Sequence, residues 1–135
     1  MMTMLPAETT VLFPAGLPGF ESCRRYVLIQ AEAFAPGVCL KGLEGPAPAF
    51  LAVDPRRIDP DYVTDLSPAD RARLGADAET ACMWLALVTT GPGEPRANLA
   101  APIVINPATM RGIQVLPADA AAPADVPWTE APCLS

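Results

Sequence analysis

The sequence contains no histidine. That absence removes Ser-His-Asp and Cys-His nucleophile pairs, His-ligated metals, and any imidazole acting as acid or base near neutral pH. Lysine is almost as scarce, since Lys41 stands alone beside the arginines. With 15 acidic residues against nine basic ones the net charge is -6 at pH 7. No stretch offers the basic footprint that direct nucleic-acid binding needs. Long apolar runs are missing too. The most apolar stretch, at 81–88, is far too short to span a bilayer, so no membrane segment is expected. The start, Met1-Met2-Thr3-Met4-Leu5-Pro6, has neither the basic nor the apolar region of a signal peptide. Cys23, Cys39, Cys82 and Cys133 show no C-x-x-C and no zinc spacing. The expectation is a cytoplasmic protein with free thiols that pack as small hydrophobes.

Apolar residues make up 51% of the 135 positions, enough for one core in one domain. Seventeen prolines exclude a bundle of long helices, because proline breaks helix interiors. Short β-branched and apolar runs predict strands at 9–13, 25–30, 38–41, 49–53, 81–89, 101–106 and 112–116. The run at 81–89 is near-continuously apolar, which suits a central strand buried on both faces; a buried helix competes for it. A single helix is written out at 67–75: Ser67 as N-cap, Pro68 at the first position, Asp70 near the orphan amides, Gly75 as the left-handed stop. Together these indicate an all-β, mainly-β fold over residues 1–116: a small closed or nearly closed β-barrel with one short helix, or alternatively a sandwich. Residues 117–135 read as an acidic, Ala/Pro-rich, flexible tail in which Trp128 either docks back or waits for a partner.

Chemistry is sparse. Asp54, Asp59, Asp61 and Asp65 lie close in sequence and offer ligands for a hard cation, but they lack the order of a calcium loop and read more simply as a solvated acidic loop. Ser22 and Cys23 have no base, and the glycines at 16 and 19 lack a phosphate-loop lysine. No catalytic residue, metal ligand set or cofactor site emerges, and the chain reads as an acidic binding module rather than an enzyme.

Four blocks carry a resemblance. Phe13-Pro14-Ala15-Gly16-Leu17-Pro18-Gly19-Phe20-Glu21, then Ala52-Val53-Asp54-Pro55 with Pro60-Asp61-Tyr62, then Asn98-Leu99-Ala100-Ala101-Pro102-Ile103-Val104-Ile105-Asn106, then Gly112-Ile113-Gln114-Val115 stand in the order found in the flagellar assembly factor FliW family. The sequence resembles that family over residues 9–116. The resemblance implies a small β-barrel-like protein of the cytoplasm that binds flagellin and the translational regulator CsrA. Bound CsrA no longer represses flagellin synthesis, and accumulating flagellin releases it. An RNA-binding CsrA needs a basic surface, which suits an acidic antagonist. Flagellin's amphipathic helices would need an apolar groove, with Leu99, Ile113 and Tyr62 as lining. The partner contacts expected on this basis are Asp59, Asp61, Tyr62, Asp65, Asp70, Asn98 and Leu99. The free protein is expected to be a monomer. A flagellin-binding variant without CsrA antagonism is the alternative, because the family's closing aromatic segment gives way here to the tail, where Val126-Pro127-Trp128 is its candidate replacement; a metal- or ligand-binding barrel is the more distant one.

Overall fold

In a computed structural model the described residues are 8–129, without 18, 46, 78, 91–92 and 116–122. They form nine strands: β1 (Glu8–Leu12), β2 (Arg25–Ile29), β3 (Val38–Gly42), β4 (Ala49–Val53), β5 (Met83–Thr89), β6 (Arg96–Ala97), β7 (Ile103–Asn106), β8 (Arg111–Gln114) and β9 (Val126–Pro127). One α-helix, α1 (Pro68–Leu74), and two short 3-10 turns complete the set. Seven of the strands close a barrel in the order β4-β3-β2-β1-β8-β7-β5, with β5 returning to β4 through Leu51↔Val88, Ala52↔Leu87 and Val53↔Ala86. Six of the pairings in this ring are antiparallel. The closure between β1 and β8 is parallel and brief, through Leu12↔Arg111 and the Leu12 amide donating to the Met110 carbonyl at 2.9 Å. Closure of the ring shortens the exposed edges of its strands, although β1 meets β8 only at its last residue. The sheet branches once: the first half of β5 pairs with β7 and its last residues with β6, which in turn carries β9.

Two cores explain why the central strands are so apolar. Strand side chains alternate between faces. Val11, Phe13, Tyr26, Leu28, Leu40, Ala52, Leu85, Ile103 and Ile105 belong to one buried cluster drawn from six ring strands and the residue after β1, so it fills the barrel. Their neighbours Leu51, Val53, Trp84, Ala86, Val88, Val104 and Ile113 belong to a second cluster on the outside of β4, β5, β7 and β8. Leu74 of α1, Tyr62, Leu99 and Trp128 cover that outer layer. Of the run at 81–89, residues Met83–Thr89 form the strand, buried on both faces at its centre, while Ala81 and Cys82 lie before it; the helical reading falls away.

The helix obeys its local signals. Ser67 Oγ accepts the Asp70 amide at 3.1 Å, and Gly75 takes φ +67° with the Gly75 and Ala76 amides closing on the Ala72 and Arg71 carbonyls. Seven residues cannot hold a helix alone. Leu74 is its one buried side chain, and its carbonyl accepts from Asn106 Nδ2 at 2.9 Å and Thr109 Oγ1 at 3.1 Å. Asn106, fully buried, also accepts the Ala108 amide at 2.9 Å, so its turn-closing side chain ties helix to barrel.

Of the tail expected at 117–135, residues 123–129 are tied back to the barrel, with Trp128 buried and Val126 partly buried but the rest exposed; 117–122 and 130–135, with Cys133, lie outside the described residues. The Leu99 amide donates to the Pro123 carbonyl and the Trp128 amide to the Pro95 carbonyl, while Arg96 pairs with Asp125. Trp128 docks back, 2% exposed, with its ring over Gly37.

Gly112 marks the tightest approach in the interior. A Cβ there would meet Phe13 ring atoms at 2.4–2.9 Å, and Phe13 is fully buried. Gly112→Ala is expected to destabilise the fold by about 1–3 kcal/mol through overpacking, read as a lower urea midpoint with an unchanged m-value.

Candidate functional site

The second and third sequence blocks meet on the outer layer. After β4, Asp54 caps a 3-10 turn, Pro55–Arg57, by accepting the Arg56 amide at 2.9 Å. Its carboxylate also takes Arg56 Nε at 3.1 Å and Nη2 at 2.8 Å. Burial pushes the Asp54 carboxyl up, but the Arg56 hydrogen bonds and the charges of Arg56 and Arg57 outweigh it and hold the pKa below the ordinary carboxylate range. A lowered carboxyl stabilises the fold above its unfolded pKa, and that contribution is lost as pH falls through the lower folded value.

From this turn the chain crosses the outer layer towards α1. Asp59 is half-buried and its Oδ1 accepts the Asp61 amide at 3.0 Å. Asp61 and Asp65 are exposed. Asp70 sits in the first turn of α1 and pairs with Arg73 at 3.3 Å. Asp61 and Asp65 thus lie open to solvent, whereas Asp59 and Asp70 are half-buried and already engaged locally.

The other expected contacts are placed differently. Tyr62 is 9% exposed and Leu99 1% exposed. The Tyr62 hydroxyl donates to the Leu99 carbonyl at 2.7 Å, and its ring meets Trp84 edge to face with centroids 6.4 Å apart. Together with Ile113, 4% exposed, both are filled core. The open apolar groove expected from Tyr62, Leu99 and Ile113 does not exist in this conformation, because the segment bearing Tyr62 already covers Leu99. Asn98 is half-buried and closes its own turn, with Oδ1 accepting the Ala100 amide at 2.9 Å. Tyr62 and Leu99 are thus buried and tie the acidic segment to the barrel, while Asn98 stays half-buried. Tyr62→Phe should cost about 1–2 kcal/mol in denaturant titration, since it strands a buried carbonyl.

Some of this lay beyond the sequence. Gln114 Nε2 donates to the Ala101 carbonyl at 3.1 Å, so the fourth block braces the third. The alternation at 61–66, with Tyr62 and Leu66 inward and Asp61, Val63 and Asp65 outward, was a visible period-2 signal inside a stretch that reads as polar loop. Among the described residues, no three metal-ligating side chains gather, and Asp54 is taken up by Arg56. Cys23 is buried, and Cys39 and Cys82 are half-buried; burial pushes the latter two thiols up.

Comparison with known proteins matches this geometry to one family. The FliW protein family profile matches residues 3–127, so it takes in β9 as well as the barrel. The chain is similar to the flagellar assembly factor FliW of Syntrophotalea carbinolica, 37% identical over 110 residues that cover 81% of this chain and 79% of that protein. The Thermotoga maritima flagellar assembly factor FliW is 30% identical over 81% of this chain and 75% of its own. A crystal structure of the flagellar assembly factor FliW superposes with a TM-score of 0.78 at 30% identity, over 90% of this chain and 86% of that one. The chain belongs to the FliW family of flagellar assembly factors.

Proposed function

We propose that this protein acts in the cytoplasm by occupying two protein partners in turn: flagellin, and the RNA-binding regulator CsrA, whose repression of flagellin synthesis it relieves. Family membership supplies the flagellar setting. The observation that carries the CsrA half is the display of Asp59, Asp61, Asp65 and Asp70 on a segment pinned to the barrel, on a chain of net charge -6. A pinned acidic face suits a basic, phosphate-binding protein and speeds encounter with it. No described helix is long and apolar enough to cross a membrane. The action is linkage: binding of one partner that disfavours the other sets the regulator's free concentration.

Calorimetric titration tests this with purified flagellin and purified CsrA in separate cells. Saturable heat is expected with both. Saturation with flagellin alone identifies the flagellin-only variant, and heat with neither removes the proposal.

A further inference from the structure

Asp61 closes a turn and residues 62–66 belong to no helix or strand, yet exposure alternates along 61–66 as it does along a strand. Tyr62 is buried and Leu66 packs partly against the outer core, while Asp61, Val63 and Asp65 face solvent. Val63 is 42% exposed, one of three large apolar side chains so exposed among the described residues. From Val63 to Leu66 no backbone amide or carbonyl has a hydrogen-bond partner among the described residues. Even so, the stretch is fixed at both ends. The Tyr62 amide donates to the Asp59 carbonyl at 2.9 Å and its hydroxyl to Leu99, and Ser67 caps α1 directly afterwards.

A held stretch with strand-like alternation and an unpaired main chain is a template for strand addition. Pre-organisation lowers the ordering cost that a loose loop would incur on binding. The outward row is Asp, Val, Asp. Its complement is an extended segment with cationic side chains on either side of an apolar one.

We propose that residues 61–66 are a docking edge that pairs, main chain to main chain, with an extended basic segment of a protein partner, with Val63 at the centre of contact and Asp61 and Asp65 as its charged flanks. This deepens the reading of a basic partner given above and rests on it.

Amide hydrogen exchange by NMR tests the pairing on the full chain in two arms, with CsrA and with a synthetic peptide of alternating lysine and valine. Backbone groups of alternate residues point the same way in a strand. Either Val63 and Asp65, or Thr64 and Leu66, should therefore slow at least about tenfold under saturation while the other pair changes less, the mark of a ladder formed on one side. Val63→Lys, at an exposed position, should leave the fold intact and abolish that protection in both arms. CsrA bound with all four amides exchanging at their free rates overturns the docking edge and leaves the partner reading in place. If CsrA fails to bind, the partner reading falls, and with it this proposal unless the peptide produces the alternating protection.

Discussion

Replacing Trp128 with alanine is expected to cost about 3–5 kcal/mol, the usual loss for deleting a buried aromatic ring. For a domain of this size that lowers the melting midpoint by about 10 °C or more. The expectation rests on where the ring sits. Trp128 is 2% exposed, joins the outer core with Val88, Ala97 and Leu99, and lies over the bare Cα of Gly37. The strand just before it, β9, is only two residues long and needs this anchor. Trp128→Phe should be far milder. It keeps most of the buried ring and removes an indole Nε1 that is buried without an acceptor, a group whose burial costs about 1–3 kcal/mol. Thermal melts of the two variants beside the parent protein separate a packing anchor from a loose tail. An alanine variant that melts with the parent would show that residues 123–129 add nothing to the fold.

Reversing two surface charges together, Asp61→Lys with Asp65→Lys, should weaken binding to CsrA by about 100-fold or more, because facing like charges costs several kcal/mol. Both side chains are exposed, and surface changes of this kind usually move stability by no more than about 0.5 kcal/mol, so the melting midpoint should hold. The parent complex should lose affinity as salt rises, and the double variant should lose most of that dependence. Equal affinity and equal salt dependence in both proteins would remove this face from the interaction. The same variant should leave flagellin binding less affected if the two partners use different faces.

Much of the architecture was legible because its signals are local. Ser67, Pro68 and Gly75 each act on the backbone within one turn, so the helix stands where they place it. The seven ring strands carry β-branched or apolar runs that announce themselves one residue after another. Strands β6 and β9 do not. Each is two residues long, and they include Arg96, Ala97 and Pro127, which favour no strand; only their pairing across the sheet branch makes them strands. Trp128 was readable as an anchor only because it stood out in a tail of alanine and proline.

The site was half legible for the same reason. Charge puts Asp61 and Asp65 at the surface wherever the chain runs. Tyr62 stands between acids and so reads as surface. Its burial depends on Leu99, 37 positions away, whose carbonyl the phenol reaches. A contact of that range leaves no trace in spacing. The barrel interior shows the same limit: Tyr26 is fully buried, and burial, with the Cys23 thiol beside it, pushes its phenol far above the ordinary value. Nothing in the sequence around Tyr26 separates it from an ordinary amphipathic strand residue.

Exchange of one partner for the other is open to a competition experiment. CsrA carrying a fluorescent label is saturated with this protein, and unlabelled flagellin is then titrated in while anisotropy is followed. Anisotropy is expected to fall to the value of free CsrA as flagellin takes up the protein. Anisotropy that stays level while flagellin binds, or no initial rise when the protein is added to CsrA, would contradict it.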